Sequence, residues 1–382
     1  MKKQKLLLLL FFIITFIGGF YSGVLFSNNS NNHKVVNETE QERIETIDKE
    51  EPKPIEQYET DKVLIGYVQD FRDPSTIDYT NLTHIIFSFA HPTSDGQLLM
   101  NGESALSNLR TTVQTAHNQG SKAILAIGGW FHIHGGESYD YFRAAISNPV
   151  SRTKLINELV GMVDKENLDG VDIDFEHPRT NEDAQNLALF TKELSDLLHP
   201  KGKELSIAVN AKIHSVVGTE IHSVIYEPSM FQDVDHVNIM AYDGQWDGVY
   251  NAANLSPYTY IENIVNYWST LFDIHQISKE KLVLGVPLYA QPEDPQGKQI
   301  SYETIINHNP ENAIKDIISI NGMTYHYNGE TTVQKKTKLA LEHEFGGMMM
   351  WEIGHDSEDE SLVTAITEAI EVSNQYTAKQ EQ

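Results

Sequence analysis

An α/β chain closed as a (β/α)8 barrel is what this sequence predicts, on three observations. Eight short apolar runs recur along residues 62–376, with helix-like segments between them. The runs are rich in β-branched and aromatic residues, as parallel strands buried on both faces are. Several end in polar or aromatic side chains, which is where such a barrel carries its chemistry. A doubly wound open sheet also alternates strand and helix, but it gives no reason for polar residues at these run ends.

The expected strands are VLIGYV (63–68), HIIFSFA (84–90), AILAIGG (123–129), GVDIDFE (170–176), LSIAVNA (205–211), HVNIMAY (236–242), LVLGVPLY (282–289) and GMMMWEI (347–353). The clearest helices are expected at 103–119, 152–163, 183–198, 261–272 and 362–372. In the first, Leu106, Leu109, Val113 and Ala116 fall at helical spacing.

Bulk composition narrows the function. The 382 residues are 40% hydrophobic and 21% charged, ordinary for a globular protein. There is no cysteine, which excludes a disulfide framework, a thiolate metal site and a cysteine nucleophile. Acidic side chains outnumber basic ones 54 to 28, for a net charge of -26. Such a surface repels phosphate backbones, so nucleic acid is excluded as a partner, whereas an uncharged polysaccharide is compatible.

Lys2, Lys3 and Lys5 precede an apolar run from Leu6 to Phe26, the pattern of an export signal. The run is long enough to cross a bilayer, and residues 1–26 are read as a signal anchor or signal peptide. The lysines would stay inside, and the rest would lie outside the cell, secreted or membrane-anchored. Residues 27–61, with scarce aromatics and many charges, are expected to form a disordered acidic linker. The catalytic barrel is expected over 62–376 and a short tail over 377–382.

The fourth run carries the densest chemistry. In LDGVDIDFEHP (168–178), Asp172, Asp174 and Glu176 are spaced by two. On a β-strand that puts three carboxylates on one face, while Val171, Ile173 and Phe175 face the helices. Three acids in one cavity cannot all ionise at neutral pH, because like charge and desolvation raise at least one pKa. Asp172 and Asp174 are expected to share a proton. Glu176, nearest the strand end, is best placed as a protonated general acid. The competing readings are a solvated acidic strand and a divalent-cation site. Apolar partners on the opposite face argue against the first, and the loop origin of most hard-cation ligands against the second.

The chain closely resembles the chitinases of glycoside hydrolase family 18. Asp169, Gly170, Asp172, Asp174 and Glu176 match each fixed position of their D-G-x-D-x-D-x-E signature. Ile127-Gly128-Gly129-Trp130 resembles the third-strand glycine motif, and Met240-Ala241-Tyr242-Asp243 the sixth-strand M-x-Y-D. Leu284-Gly285-Val286-Pro287 and Met350-Trp351-Glu352 resemble the seventh and eighth strands. The resemblance implies retaining hydrolysis of β-1,4 bonds at N-acetylglucosamine, assisted by the substrate's own acetamide, with no metal or cofactor. It implies that Glu176 protonates the leaving oxygen and then activates water. It also implies that Asp174 holds the acetamide N–H, that Asp172 takes up the shared proton and that Tyr242 aims the acetamide oxygen. Trp351 would floor the sugar site, and Met240, Asp243, Tyr67, Phe89 and Trp130 would line the same cleft. For Met240 and Phe89, ordinary barrel packing is an equal alternative.

Two positions depart from the family pattern. Ala126 stands where a serine often helps hold the inner aspartate, a loss that would either slow turnover or be made good by Ser88. Gln291 stands for a frequent arginine, with the loss of one sugar contact expected. The segment before Gly346 leaves no obvious room for a large α+β insertion, so a shallow, open groove is expected. His132 and His134 lie near Trp130 and are read as polar loop residues rather than a metal pair. Two other functions stay open: an endo-β-N-acetylglucosaminidase on peptidoglycan or N-glycans, and a non-catalytic sugar-binding lectin.

Overall fold

The structure, a computed structural model, describes residues 62–211 and 224–380. The chain divides into Met1–Glu56 and Gln57–Gln382, and all of the described residues belong to the second unit. The expected signal segment and linker lie outside the described residues. Among the described residues, no helix is long and apolar enough to cross a membrane.

Eight parallel strands form the barrel: β1 (Val63–Gln69), β2 (His84–Pro92), β3 (Lys122–Gly128), β4 (Gly170–Asp174), β5 (Glu204–Asn210), β6 (His236–Met240), β7 (Leu282–Pro287) and β8 (Gly347–Trp351). Neighbours follow chain order, and β1 pairs with both β2 and β8, which closes the sheet. Each strand lies within two residues of its expected bounds. Among the described residues eight α-helices accompany them: α1 (Gly102–Asn118), α2 (Ser138–Ser147), α3 (Pro149–Lys165), α4 (Asn181–Leu198), α5 (Tyr258–His275), α6 (Tyr302–His308), α7 (Glu330–Glu342) and α8 (Leu362–Gln380). The last begins at its expected start and runs past its expected end at 372, and Leu362, Val363, Ile366 and Ile370 bury its inner face.

The alternation of each strand builds two apolar layers. Val171, Ile173 and Phe175 join the large core between strands and helices. Ile65, Tyr67, Ile86, Ile124, Ala126, Tyr242, Val283 and Met349 form a smaller cluster inside the barrel. The side-chain period of two therefore holds beyond the hydrogen-bonded ladder. Phe175, one residue past β4, stacks on Phe142 at 4.9 Å and Tyr139 at 5.7 Å, on the helix side.

Between β7 and β8 the chain is more than a connection. Strands Tyr289–Pro292, Ile300–Ser301, Ile317–Ile320 and Met323–His326 form a separate four-stranded antiparallel sheet, with α6 between its second and third strands. It is a small α+β insertion built of strands of two to four residues. The expectation that the segment before Gly346 leaves no room for an α+β insertion is therefore corrected: a small one fits because its strands are short.

Candidate active site

The open end of the barrel is assembled from strand ends. Glu176 lies two residues beyond β4, in a segment tied down from the far side. There Thr180 caps α4: its hydroxyl accepts from the Asp183 N–H, and the Asp183 carboxylate accepts from the Thr180 and Arg179 N–H groups at 3.0 Å each. Tyr139 also donates to Asp183, at 2.9 Å. The turn that carries Glu176 is thus fixed at both ends.

The three carboxylates occupy graded environments. Asp172 is fully buried and accepts three hydrogen bonds: from Ser206 Oγ at 2.5 Å, Tyr67 OH at 2.8 Å and Asn238 Nδ2 at 3.2 Å. Asp174 is buried too, yet its Oδ1 has no hydrogen-bond partner. Glu176 is partly open, its side chain 17% exposed, with His177 Nδ1 at 3.9 Å from Oε2. Burial lifts the Asp172 carboxyl to about 6, against the downward pull of its Ser206, Tyr67 and Asn238 donors. Burial pushes Asp174 well above the usual carboxylate range, and the charges of Glu176 and then Asp172 add to the rise. The uncompensated member of the trio is therefore Asp174, the one best able to hold a proton.

The expected companions come together here. Tyr242 is buried, and its hydroxyl is raised by burial first and by Asp243, Asp174 and Glu176 after it. Asp243 accepts from Tyr289 OH at 2.6 Å and from Gln245 Nε2 at 2.9 Å. Trp351 stacks on Phe89 at 5.8 Å and tilts against Tyr67 at 5.6 Å. A cleft of about 650 Å³ opens above, lined by Glu176, Tyr242, Met240, Asp243, Trp130 and Trp246 among others. Met240 both lines this cleft and packs on the interior cluster, whereas Phe89 packs on that cluster.

The glycine pair ending β3 has a steric cause. A Cβ on Gly128, whose φ is +120°, would stand 2.1 Å from the Asp174 carbonyl oxygen. The adjacent Gly129 N–H donates to that same oxygen at 3.0 Å. Close approach of the two backbones is what seats Asp174. Gly128→Ala is expected to cost about 2–5 kcal/mol of stability, from strain at positive φ plus overpacking. Thermal denaturation checks this, and an unchanged Tm would refute the steric reading.

One expectation is corrected. Ser88 does not make good the missing serine, since its hydroxyl lies 3.5 Å from the Ile86 carbonyl. In β-ladder register Asp172 has Ala126 on one side and Ser206 on the other, so the hydroxyl comes from the opposite neighbour. Gln291, where the loss of one sugar contact is expected, is buried, donating to Tyr250 OH at 2.8 Å and accepting from Gln299 at 2.7 Å. Through Tyr250, whose ring lies 4.7 Å from that of Trp246, it braces the cleft wall. His132, near that wall, is structural: it stacks on Tyr141 at 3.7 Å, with its nitrogens engaged by Pro92 O and the His134 N–H. Ser206, Asn238, His177 and Trp246 went unnoticed in the sequence. The first two were within reach of the period-two argument, since both face inward on their strands.

A closed parallel barrel with a carboxylate series at the end of its fourth strand is a scaffold that can carry glycoside hydrolysis. The family model for glycosyl hydrolases family 18 matches residues 63–356, and the chain belongs to that family. Nod factor hydrolase protein 1 of Medicago truncatula is 26% identical over 329 residues, which cover 76% of this chain and 85% of that one. Secreted chitinase LysM12 of Penicillium expansum is 28% identical over 240 residues, 58% of this chain and 15% of its own length. The chain spans 10% and 56% of the length of two other curated relatives. A solved chitinase from Bacteroides thetaiotaomicron superposes with a TM-score of 0.66 at 26% identity, over 81% of this chain and 96% of that one.

Proposed function

We propose that this chain hydrolyses β-1,4 bonds beside N-acetylglucosamine, with retention, in chitin or chito-oligosaccharides. The observation that carries the proposal is the grading of the three acids. Asp172 is held by three donors that favour its anion, Asp174 is buried with an unpartnered oxygen, and Glu176 faces the cleft.

The steps follow from that grading. In the resting site Asp174 carries the proton and Asp172 the charge; in place of the expected uptake by Asp172 as Asp174 turns, the proton goes to Glu176. When a sugar binds, Asp174 turns to Glu176 and passes its proton on. Glu176 delivers it to the glycosidic oxygen as the bond to the anomeric carbon breaks. The substrate's acetamide oxygen forms the new bond to that carbon, aimed by the Tyr242 hydroxyl. Asp174, now anionic, accepts the acetamide N–H and offsets the positive charge of the oxazolinium ring. Glu176 then takes a proton from water, which attacks the same carbon and reopens the ring. Trp351 offers an apolar face beneath the reacting sugar. Trp130 and Trp246, 44% and 56% exposed, suit further sugars along an open groove and so cleavage within a chain. The export-type N-terminus supports action outside the cell.

Proton NMR of chitotetraose digests tests the stereochemistry. The β anomer should appear first and mutarotate later, whereas an initial α anomer would sink the acetamide-assisted route. A preference for muropeptides over chitotetraose would move the substrate to peptidoglycan while keeping the chemistry. A further test concerns Ser206. Its hydroxyl lowers the Asp172 pKa, so Ser206→Ala should raise it from about 6. Because anionic Asp172 is the working form, the acid limb of the kcat/KM profile should move to higher pH. An unmoved limb would remove Ser206 from the proton system.

A further inference from the structure

The opposite end of the barrel holds a second cluster of chemistry. His84, Glu204 and His236 open β2, β5 and β6. Each stands two residues before an inward-facing side chain: Ile86 of the interior cluster, and Ser206 and Asn238 of the Asp172 network. All three therefore point into the barrel and form its lowest layer. β2 and β6 are diametrically opposed in the closed sheet, so the trio meets across the axis.

Each residue offers one donor atom, and the three atoms lie within 4.8 Å of one another. His84 Nε2 is 2.9 Å from Glu204 Oε2, and the His84 and His236 rings meet edge-on at 5.1 Å. His84 Nδ1 is 2.7 Å from Thr83 Oγ1, the kind of outer partner that orients a ligating imidazole. His236 Nδ1 is buried with no hydrogen-bond partner. A hydrogen-bonded floor would account for the His84–Glu204 pair, but it leaves that nitrogen unanswered.

We propose that His84, Glu204 and His236 form a binding site for a divalent transition metal of the zinc type, which clamps the floor of the barrel. Two imidazoles and one carboxylate are the ligand set that zinc takes, with water in the fourth position. Tetrahedral bonds of about 2.0–2.1 Å separate neighbouring donors by roughly 3.3 Å, so movements near 1 Å close the set. One feature opposes the ion: the Lys122 ammonium pairs with the other oxygen of Glu204. Removing that charge should strengthen binding.

Titration of the EDTA-treated, dialysed full chain with zinc chloride, by calorimetry and by Tm, tests the site. One ion should bind per chain, with Tm rising about 4 °C at a hundredfold excess over Kd. His236→Gln and Glu204→Gln should each weaken that binding by roughly 100-fold. Lys122→Ala should tighten it, an opposite change that a misfolded variant does not produce. No Tm response in the wild type at millimolar zinc would overturn the proposal. Equal affinity and stoichiometry in His236→Gln would do so too, by placing the ion on other histidines.

Discussion

Glu176→Gln is expected to lower kcat on a fluorogenic chitotriose by roughly 10²–10⁴-fold, with sugar affinity and Tm nearly unchanged. The substitution keeps the size of the side chain and removes only its capacity to lend and retrieve a proton. Glu176 is reached by solvent through the cleft, so the native state has little packing to lose. Changes at such positions usually stay within about 0.5 kcal/mol. Measuring kcat, sugar binding and Tm together separates the possible outcomes. If wild type and variant bind equally and both fail to hydrolyse any N-acetylglucosamine polymer, the barrel is a lectin rather than an enzyme. A variant that keeps full activity would place the acid elsewhere.

The barrel was legible because its strands are buried on both faces, so each reads as a short, nearly continuous apolar run. The four strands of the small insertion lack that mark. Ile317–Ile320 alternates between exposed and half-buried residues, and Ile300–Ser301 is too short to show a pattern. α2 was hidden differently: it spans ten residues and ends at Asn148, which caps α3 directly, so two helices share one boundary.

Within the site, spacing by two revealed the acids because three carboxylates on one face are conspicuous. The same spacing on β5 and β6 carries Ser206 and Asn238, polar but neutral, and therefore easy to pass over. What no single strand could reveal is register. Which hydroxyl holds Asp172 depends on the strand placed beside it, and that is a property of the closed sheet. The Ala126 departure illustrates the point: a loss on β3 is met by a gain on β5, invisible until the strands are laid side by side.

Asp174→Asn should cut kcat by about 10²–10³-fold and at the same time raise Tm. The loss follows from charge. An amide still fills the space, but it cannot pass a proton to Glu176 or become the anion that faces the oxazolinium ring. The gain follows from burial. Asp174 is a desolvated carboxyl beside Glu176 and Asp172 that stays neutral only by holding a proton above its ordinary pKa, whereas an amide is neutral at every pH and carries no such cost. The sign of the pH dependence makes the claim stricter. The folded pKa of Asp174 lies above its unfolded value, so the folded state holds the proton more tightly. Its contribution to stability is full below the ordinary carboxylate range and declines as pH rises toward the folded pKa. The variant has no such decline, so its advantage in Tm should widen from pH 4 upward until the native Asp174 is ionised. Parallel melts across that range decide the matter. A variant less stable than wild type throughout would mean that Asp174 is satisfied by something other than a shared proton. The site would then not be strained in favour of its chemistry, which is the balance between stability and activity that the buried acid implies.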